Sequence, residues 1–286
     1  MTIQRMLITG TSGFVGRNLK EYFQGRVPHL YCPNRATLNL LDSDAVLACL
    51  AEQYFDVVIH CGVTLGSVEE NLKMYFNLER GSERFGRMIC IGSGAEYDMR
   101  NYLPGMKEEY FRSCIPMDIY GFSKYVIAND IENRPRNIYN LRVFGIFGPY
   151  ENYKRRFISN NICRVLCGLD LSVVRNMRFD FLWIADFIAM LELFLEGQPL
   201  WRSYNICSGQ SPDLVSILHL IREVHGRDVP VTIHEEGFKQ EYSGDNSRFL
   251  QEFGWNRYTD LKRSIADLYD WYRNSSGLTF HSEMFQ

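Results

Sequence analysis

One stretch constrains this chain more than any other. An apolar strand, Met6 to Thr9, opens directly into Gly10, Thr11, Ser12, Gly13, Phe14, Val15 and Gly16, and these lead into a helix. Glycine at the tight turn and at the point of closest approach admits a backbone that side chains would block. The helix N-terminus that follows offers bare amides and the positive end of a dipole. Glycine triplets occur in many turns, but the position between a first strand and a first helix marks a phosphate cradle. Gly10 to Gly16 are therefore candidates to hold the pyrophosphate of a dinucleotide.

The rest of the first half fits such a cradle. Short β-branched or apolar runs predict strands at Arg5 to Thr9, His29 to Cys32, Phe55 to His60, Arg87 to Ile91 and Ile138 to Val143. Helical periods predict helices over Phe14 to Gln24, Ser43 to Gln53, Val68 to Arg84 and Tyr120 to Ile131. Strands alternating with helices make βαβ units and a parallel sheet. The fold class is α/β: a Rossmann-type, doubly wound parallel sheet with a smaller C-terminal α/β substrate lobe. Residues 1-150 form the dinucleotide domain, residues 151-286 are mainly the lobe, and a segment near 178-209 returns to the sheet. From Ser275 onward the chain reads as a loose tail.

Composition narrows the function. With 286 residues, 46% of them apolar, the chain can bury a large core, and its net charge of -3 has no basic cluster to grip nucleic acid or an anionic membrane. No apolar run is long enough to span a bilayer, and the N-terminus enters a strand with no room for a leader. Eight cysteines contain no CxxC pair and no His at zinc spacing, so no metal is expected and a reduced, cytoplasmic setting fits. Cys163 and Cys167 share a helix face and read as core residues.

Two further patterns carry chemistry. After the second strand come Pro33, Asn34 and Arg35, where an NAD site would place a carboxylate on the ribose 2'-hydroxyl. A cation here suits a 2'-phosphate, which favours NADP over NAD as the alternative. Tyr120 and Lys124 stand four residues apart, hence on one helix face, and an ammonium there favours phenolate over phenol. Such pairs arise by chance, but the strand ending at Ile91 delivers Ser93 to the carboxyl edge of the sheet, where its hydroxyl can meet a reacting oxygen.

The ordered set of the glycine loop, Asn71, Ser93 and the run Tyr120 to Lys124 resembles the extended short-chain dehydrogenase/reductase family, the NAD(P)-dependent nucleotide-sugar epimerases, dehydratases and reductases. Leu141 to Pro149, Phe179 to Phe187 and Tyr204 to Gly209 resemble later family segments, and Asn34 to Asp42 is similar to the NADPH-using GDP-fucose synthase branch. The resemblance implies that Tyr120 exchanges a proton, Lys124 holds the nicotinamide ribose and Ser93 orients the substrate oxygen. It implies cofactor contacts at Asn39, Leu40, Cys61, Gly62, Val63, Asn71 and Val143, substrate contacts at Glu96, Phe144, Arg156 and Arg178, and a homodimer.

The chain departs from that pattern in an informative way. Gly94 and Ala95 stand where relatives that eliminate water carry Asp and Glu, and where GDP-fucose synthases carry an epimerising Cys. The leading expectation is a reductase of a nucleotide-linked 4-keto-6-deoxy sugar, which needs no third acid/base. A C4 epimerase using the same residues with NAD is the alternative, and a non-catalytic dinucleotide sensor is a third reading.

Overall fold

A computed structural model describes residues 3–275. Ten strands and nine α-helices lie among them: β1 (Arg5–Thr9), α1 (Phe14–Phe23), β2 (His29–Tyr31), α2 (Ser43–Glu52), β3 (Phe55–His60), α3 (Val68–Glu79), β4 (Phe85–Ser93), α4 (Ile119–Asn133) and β5 (Ile138–Val143) build the first half. Then come β6 (Ile146–Phe147), α5 (Phe157–Leu166), β7 (Leu171–Asn176), β8 (Leu182–Trp183), α6 (Ile184–Glu196), β9 (Ser203–Ile206), α7 (Leu214–His225), β10 (Val231–Phe238), α8 (Ser247–Phe253) and α9 (Leu261–Asn274).

Six strands form one sheet in the order β2-β1-β3-β4-β5-β9, every neighbouring pair parallel. Side chains alternate across a strand, so Met6 and Ile8 enter one apolar layer while Leu7 enters the other. The first layer is closed by α1 and α6, through Leu19, Phe23, Phe187 and Leu191. The second is closed by α2, α3 and α4, through Val46, Leu50, Tyr75, Leu78 and Ile127. This is the doubly wound α/β sheet, and the strand order reverses between β1 and β3, where the carboxyl ends open a crevice. The turns after β1, β3, β4 and β5 all meet along that edge.

The lobe has its own core, in which α5, α7 and α9 pack on β7 around Ile162, Ile217 and Leu268. Cys163 lies in this core, and all eight cysteines are free. Strands β7 and β10 pair in parallel, while β9 and α6 return to the main sheet. Local chemistry shifts several boundaries. Strand β2 stops before Cys32 because Pro33 has no N–H for a ladder. The helix foreseen over Val68 to Arg84 ends at Glu79, and Gly81 then leads into a 3-10 turn over Ser82–Arg84. Helix α7 starts after Pro212, where Asp213 accepts from Ser216 N at 3.1 Å. The tail expected beyond Ser275 lies outside the described residues.

One buried carboxylate in the lobe makes stability depend on pH. Glu151 is 4% exposed; Ser159 Oγ donates to its Oε1, and Oε2 has no hydrogen-bond partner. Burial pushes its carboxyl up to about 7, against the smaller opposing pull of Ser159 and Arg156. Because the folded value lies above the unfolded value of about 4.3, its contribution is full below that pH and is lost as pH rises through 7. Glu151→Gln is expected to raise unfolding free energy at pH 8 by about 1–3 kcal/mol and to change little at pH 4. Urea titrations at the two pH values check it; an equal effect at both would contradict the assignment.

Candidate active site

The cleft at the carboxyl edge starts from the glycine turn. Gly10 has φ +70, and a Cβ there would lie 2.6 Å from Gly62 N. A Cβ on Gly16 would overlap the Gly10 carbonyl. The turn closes through Gly13 N donating to Gly10 O at 3.0 Å, and no side chain caps the first amides of α1. The glycine turn lines a cleft of about 320 Å³ whose walls include Gly10, Thr11, Ser12, Arg35, Asn39, Leu40 and Val63. The glycine turn, the uncapped helix end beside it and the cleft fit a dinucleotide pyrophosphate. Phe14 and Val15 instead pack against the sheet core and support the turn from behind.

At the far end of the cleft Asn34 builds its own turn, its Oδ1 accepting from Ala36 N at 2.9 Å and Thr37 N at 3.0 Å. This holds the exposed Arg35 on the cleft wall, and no carboxylate ends β2. Gly62 also lines the cleft, whereas burial pushes the thiol of Cys61 up to about 12 and keeps it neutral.

The catalytic candidates come from β4 and α4. Asp118 caps α4 by accepting from Gly121 N at 2.7 Å, which sets Tyr120 in the first turn and Lys124 one turn on. Lys124 Nζ lies 5.9 Å from the centre of the Tyr120 ring and donates to Ile91 O at 2.6 Å. One of its three N–H bonds is thus spent on β4 and the others remain for a ligand. His60 is beside it, its Nδ1 bonded to Thr9 Oγ1 at 2.8 Å. Burial, then the Lys124 charge, push the imidazole down to about 3, so His60 stays neutral and does not repel the ammonium.

Ser93 is the last residue of β4 and faces the same edge, with Val143 beside it in register at the end of β5. Its Oγ accepts from Ala95 N at 3.1 Å and its N–H donates to Glu96 Oε1 at 3.0 Å. Glu96 is therefore corrected: it is 1% exposed and lies behind the serine loop, not in the cleft. Its Oε2 accepts from Asn140 at 2.8 Å and from Arg142 Nε at 2.5 Å. Arg142, fully buried, reaches on to Glu132 of α4 at 2.7 Å.

Two more assignments change for geometric reasons. Asn71 is 2% exposed and both ends of its amide are occupied: Nδ2 donates to Thr64 O at 2.8 Å and Ser123 Oγ at 2.9 Å, and Oδ1 accepts from Thr64 N at 2.8 Å. It clamps the loop after β3 to α4, its amide capacity spent within the chain. Phe144 is 0% exposed, packed among Tyr97, Tyr102 and Tyr242 beneath Gly94. Arg156 and Arg178 are exposed on the lobe, and Arg178 also donates to Ser211 O at 3.3 Å. Tyr242, which no sequence pattern marks, brings its hydroxyl to within 2.5 Å of where a Gly94 side chain would begin.

The pattern of the NAD dependent epimerase/dehydratase family matches residues 6–207. A GDP-6-deoxy-D-mannose reductase of Pseudomonas aeruginosa is 26% identical over 303 residues, covering 94% of this chain and 97% of that protein. An ADP-L-glycero-D-manno-heptose-6-epimerase of Brachyspira hyodysenteriae is 25% identical over 175 residues, which span 57% of this chain and about half, 52%, of that relative. The NADP-bound crystal structure of a GDP-L-fucose synthetase from Naegleria fowleri superposes with a TM-score of 0.83 at 16% identity, over 98% of this chain and 97% of that one, a likeness of fold. Among the described residues no helix is long and apolar enough to cross a membrane, and no group of three His, Cys, Asp or Glu could hold a metal ion.

The buried pair makes a stability prediction. Arg142→Met leaves the buried Glu96 carboxyl without its counter-charge, so that it must either stay charged unpaired or take up a proton, and is expected to cost about 3–5 kcal/mol at pH 8. Adding Glu96→Gln, which keeps an acceptor for Ser93 N–H, is expected to recover more than half of that. Urea unfolding of both variants checks this, and a loss below about 1 kcal/mol in the single variant would show the pair is dispensable.

Proposed function

This chain belongs to the NAD dependent epimerase/dehydratase family, and from that premise we propose that it is an NADPH-dependent reductase of a nucleotide-activated 4-keto-6-deoxy sugar. One observation carries the reading. Ser93 ends β4 at the carboxyl edge of the sheet and Tyr120 and Lys124 lie one turn apart at the start of α4, while the loop after Ser93 supplies Gly94 and Ala95 and hence no carboxylate or thiol for proton abstraction beside the ketone. Reduction at C4 needs only a proton donor for the new alkoxide, and elimination or epimerisation next to the ketone needs more.

A nicotinamide cofactor, when bound, supplies the hydride. The chain's own residues do the proton work: the Tyr120 phenol gives its proton to the oxygen at C4, and Ser93 holds that oxygen by a hydrogen bond. Lys124, tethered to Ile91 O, stabilises the phenolate left on Tyr120 and keeps N–H bonds for the cofactor ribose. Uncapped amides at the start of α1 take the pyrophosphate, and Arg35 takes the 2'-phosphate in preference to a bare hydroxyl. Arg156 and Arg178 offer cations from the lobe for the diphosphate of the sugar nucleotide. A homodimer in the cytoplasm completes the reading. The similarity to a GDP-6-deoxy-D-mannose reductase along nearly the whole chain supports a GDP-linked substrate.

A second reading, a sugar-nucleotide epimerase, is favoured by the similarity to a heptose epimerase over part of the chain. It requires the same three residues but returns the hydride, so it consumes no cofactor.

Absorbance at the NADPH band, followed while the protein is offered GDP-, dTDP-, CDP- and UDP-linked 4-keto-6-deoxy sugars, tests the reading. NADPH is expected to be oxidised in proportion to one of them. Tyr120→Phe is expected to lower kcat by about 10²- to 10⁴-fold with dinucleotide affinity retained. No oxidation across the panel, with cofactor still bound, would contradict the reductase.

A further inference from the structure

The bare loop after Ser93 is not empty space. Tyr242 and the Phe144 ring occupy the volume that a side chain on Gly94 would need, with the Tyr242 hydroxyl 2.5 Å from the Gly94 Cβ position. Tyr242 arrives from the C-terminal segment, between β10 and α8, and is fastened there on two sides. Its N–H donates to Arg178 O at 3.0 Å and its carbonyl accepts from Asp180 N at 2.9 Å. Next to it Ser243 O accepts from Met106 N at 3.0 Å, and Ser243 Oγ accepts from Gly105 N at 2.8 Å. The ring is held between Tyr102, 5.0 Å away and stacked, and Phe179, 4.8 Å away and stacked, with Phe144 at 5.3 Å.

A phenol this firmly placed has a defined set of neighbours. Its hydroxyl lies against Gly94, the residue between Ser93 and Ala95, and the polar groups that act on it include Tyr120, the Tyr102 hydroxyl and the Ser93 side chain. Tyr102 gives its own hydrogen to Gly94 O, so towards Tyr242 it can only accept. Ser93 Oγ has two acceptor lone pairs and one hydrogen; Ala95 N fills one lone pair. The Tyr242 hydroxyl, held beside Gly94, is placed to fill the second.

We propose that Tyr242 is a positioning residue of the active site: its phenol donates to Ser93 Oγ, so that the Ser93 hydrogen is turned onto the substrate oxygen. Without substrate, the hydroxyls run in the other sense, from Ser93 to Tyr242 to Tyr102 to the Gly94 carbonyl. When the substrate oxygen accepts from Ser93, Tyr242 rotates its hydrogen onto the serine, and hydrogen bonds in series strengthen one another. No covalent bond changes. Burial, and then the nearby Tyr120, hold the Tyr242 hydroxyl well above the usual phenol range. It therefore stays a donor while Tyr120 exchanges the proton, and it adds no base for epimerisation. The role of Ser93 rests on the reductase reading; the placement of the Tyr242 hydroxyl beside Gly94 does not.

Tyr242→Phe keeps the ring and removes the donor. Its kcat with the accepted 4-keto sugar is expected to fall roughly five- to tenfold, with KM, dinucleotide affinity and thermal midpoint nearly unchanged. In a Ser93→Ala background the same change is expected to cost less than about twofold, because the bond is already gone. An unchanged kcat, or losses that multiply, would overturn the proposal. A second arm needs no turnover: in full-length protein labelled with 13C at tyrosine Cζ, the signal absent from Tyr242→Phe is expected to move on Ser93→Ala. A Tyr242 signal indifferent to Ser93→Ala would overturn the contact. If wild type reduces no sugar, the proposed function fails and the resonance still decides whether Tyr242 holds Ser93.

Discussion

The site hangs on one buried ion pair. Glu96 and Arg142 lie out of water behind the catalytic edge, their closest atoms 2.5 Å apart, and each is tied to a different part of the site. Glu96 holds the Ser93 backbone; Arg142, on β5, holds Glu132 of the helix that carries Tyr120 and Lys124. The guanidinium also lies 4.1 Å from the centre of the Phe111 ring. Removing two charges from water is costly, and the cost is offset only where geometry and added hydrogen bonds are good. Here Asn140 and the Ser93 N–H take up the carboxylate's remaining capacity, so the pair fixes strand end and helix relative to each other.

Around that anchor, each reactive group is kept in one state by its surroundings. His60 is neutral because it is buried beside an ammonium, and Lys124 is directed by the Ile91 carbonyl. Asn71 clamps the loop after β3 to α4 through Ser123. Much of what encloses the cleft is therefore second to the reacting groups and spent on aim. The lobe contributes as well, since the segment with Tyr242 crosses from it to the loop after β4, so its docking and the catalytic loop are one structural unit.

The sheet was legible in the sequence because its information is local. Strands buried on both faces read as short apolar runs, and β1, β3 and β5 begin and end where their patterns do. The glycine turn was legible because its spacing between strand and helix is local, although the backbone that crowds Gly10 belongs to Cys61 and Gly62 after β3. What failed was non-local. Nothing near Glu96 in the sequence reveals that Arg142 on the adjacent strand faces it, so the resemblance alone sets Glu96 among the substrate contacts. Phe144 follows β5 and the resemblance places it among the substrate contacts, but it is packed beneath Gly94 by aromatic rings from distant segments. The meaning of Gly94 changed in the same way: an absent acid in the sequence is, in space, room taken by a tyrosine.

On the proposed reading the centre has one exchanging proton, an ammonium tethered to the Ile91 carbonyl and a hydroxyl to hold the oxygen, which suits net reduction of a ketone. The most direct test is to supply NADPH deuterated at C4 of the nicotinamide, on the transferred face, with a 4-keto sugar nucleotide, and to locate the label by NMR. Reduction predicts one deuterium at C4 of the product sugar and one NADP formed for each. A sugar with altered configuration, no deuterium and no net cofactor oxidation would contradict it.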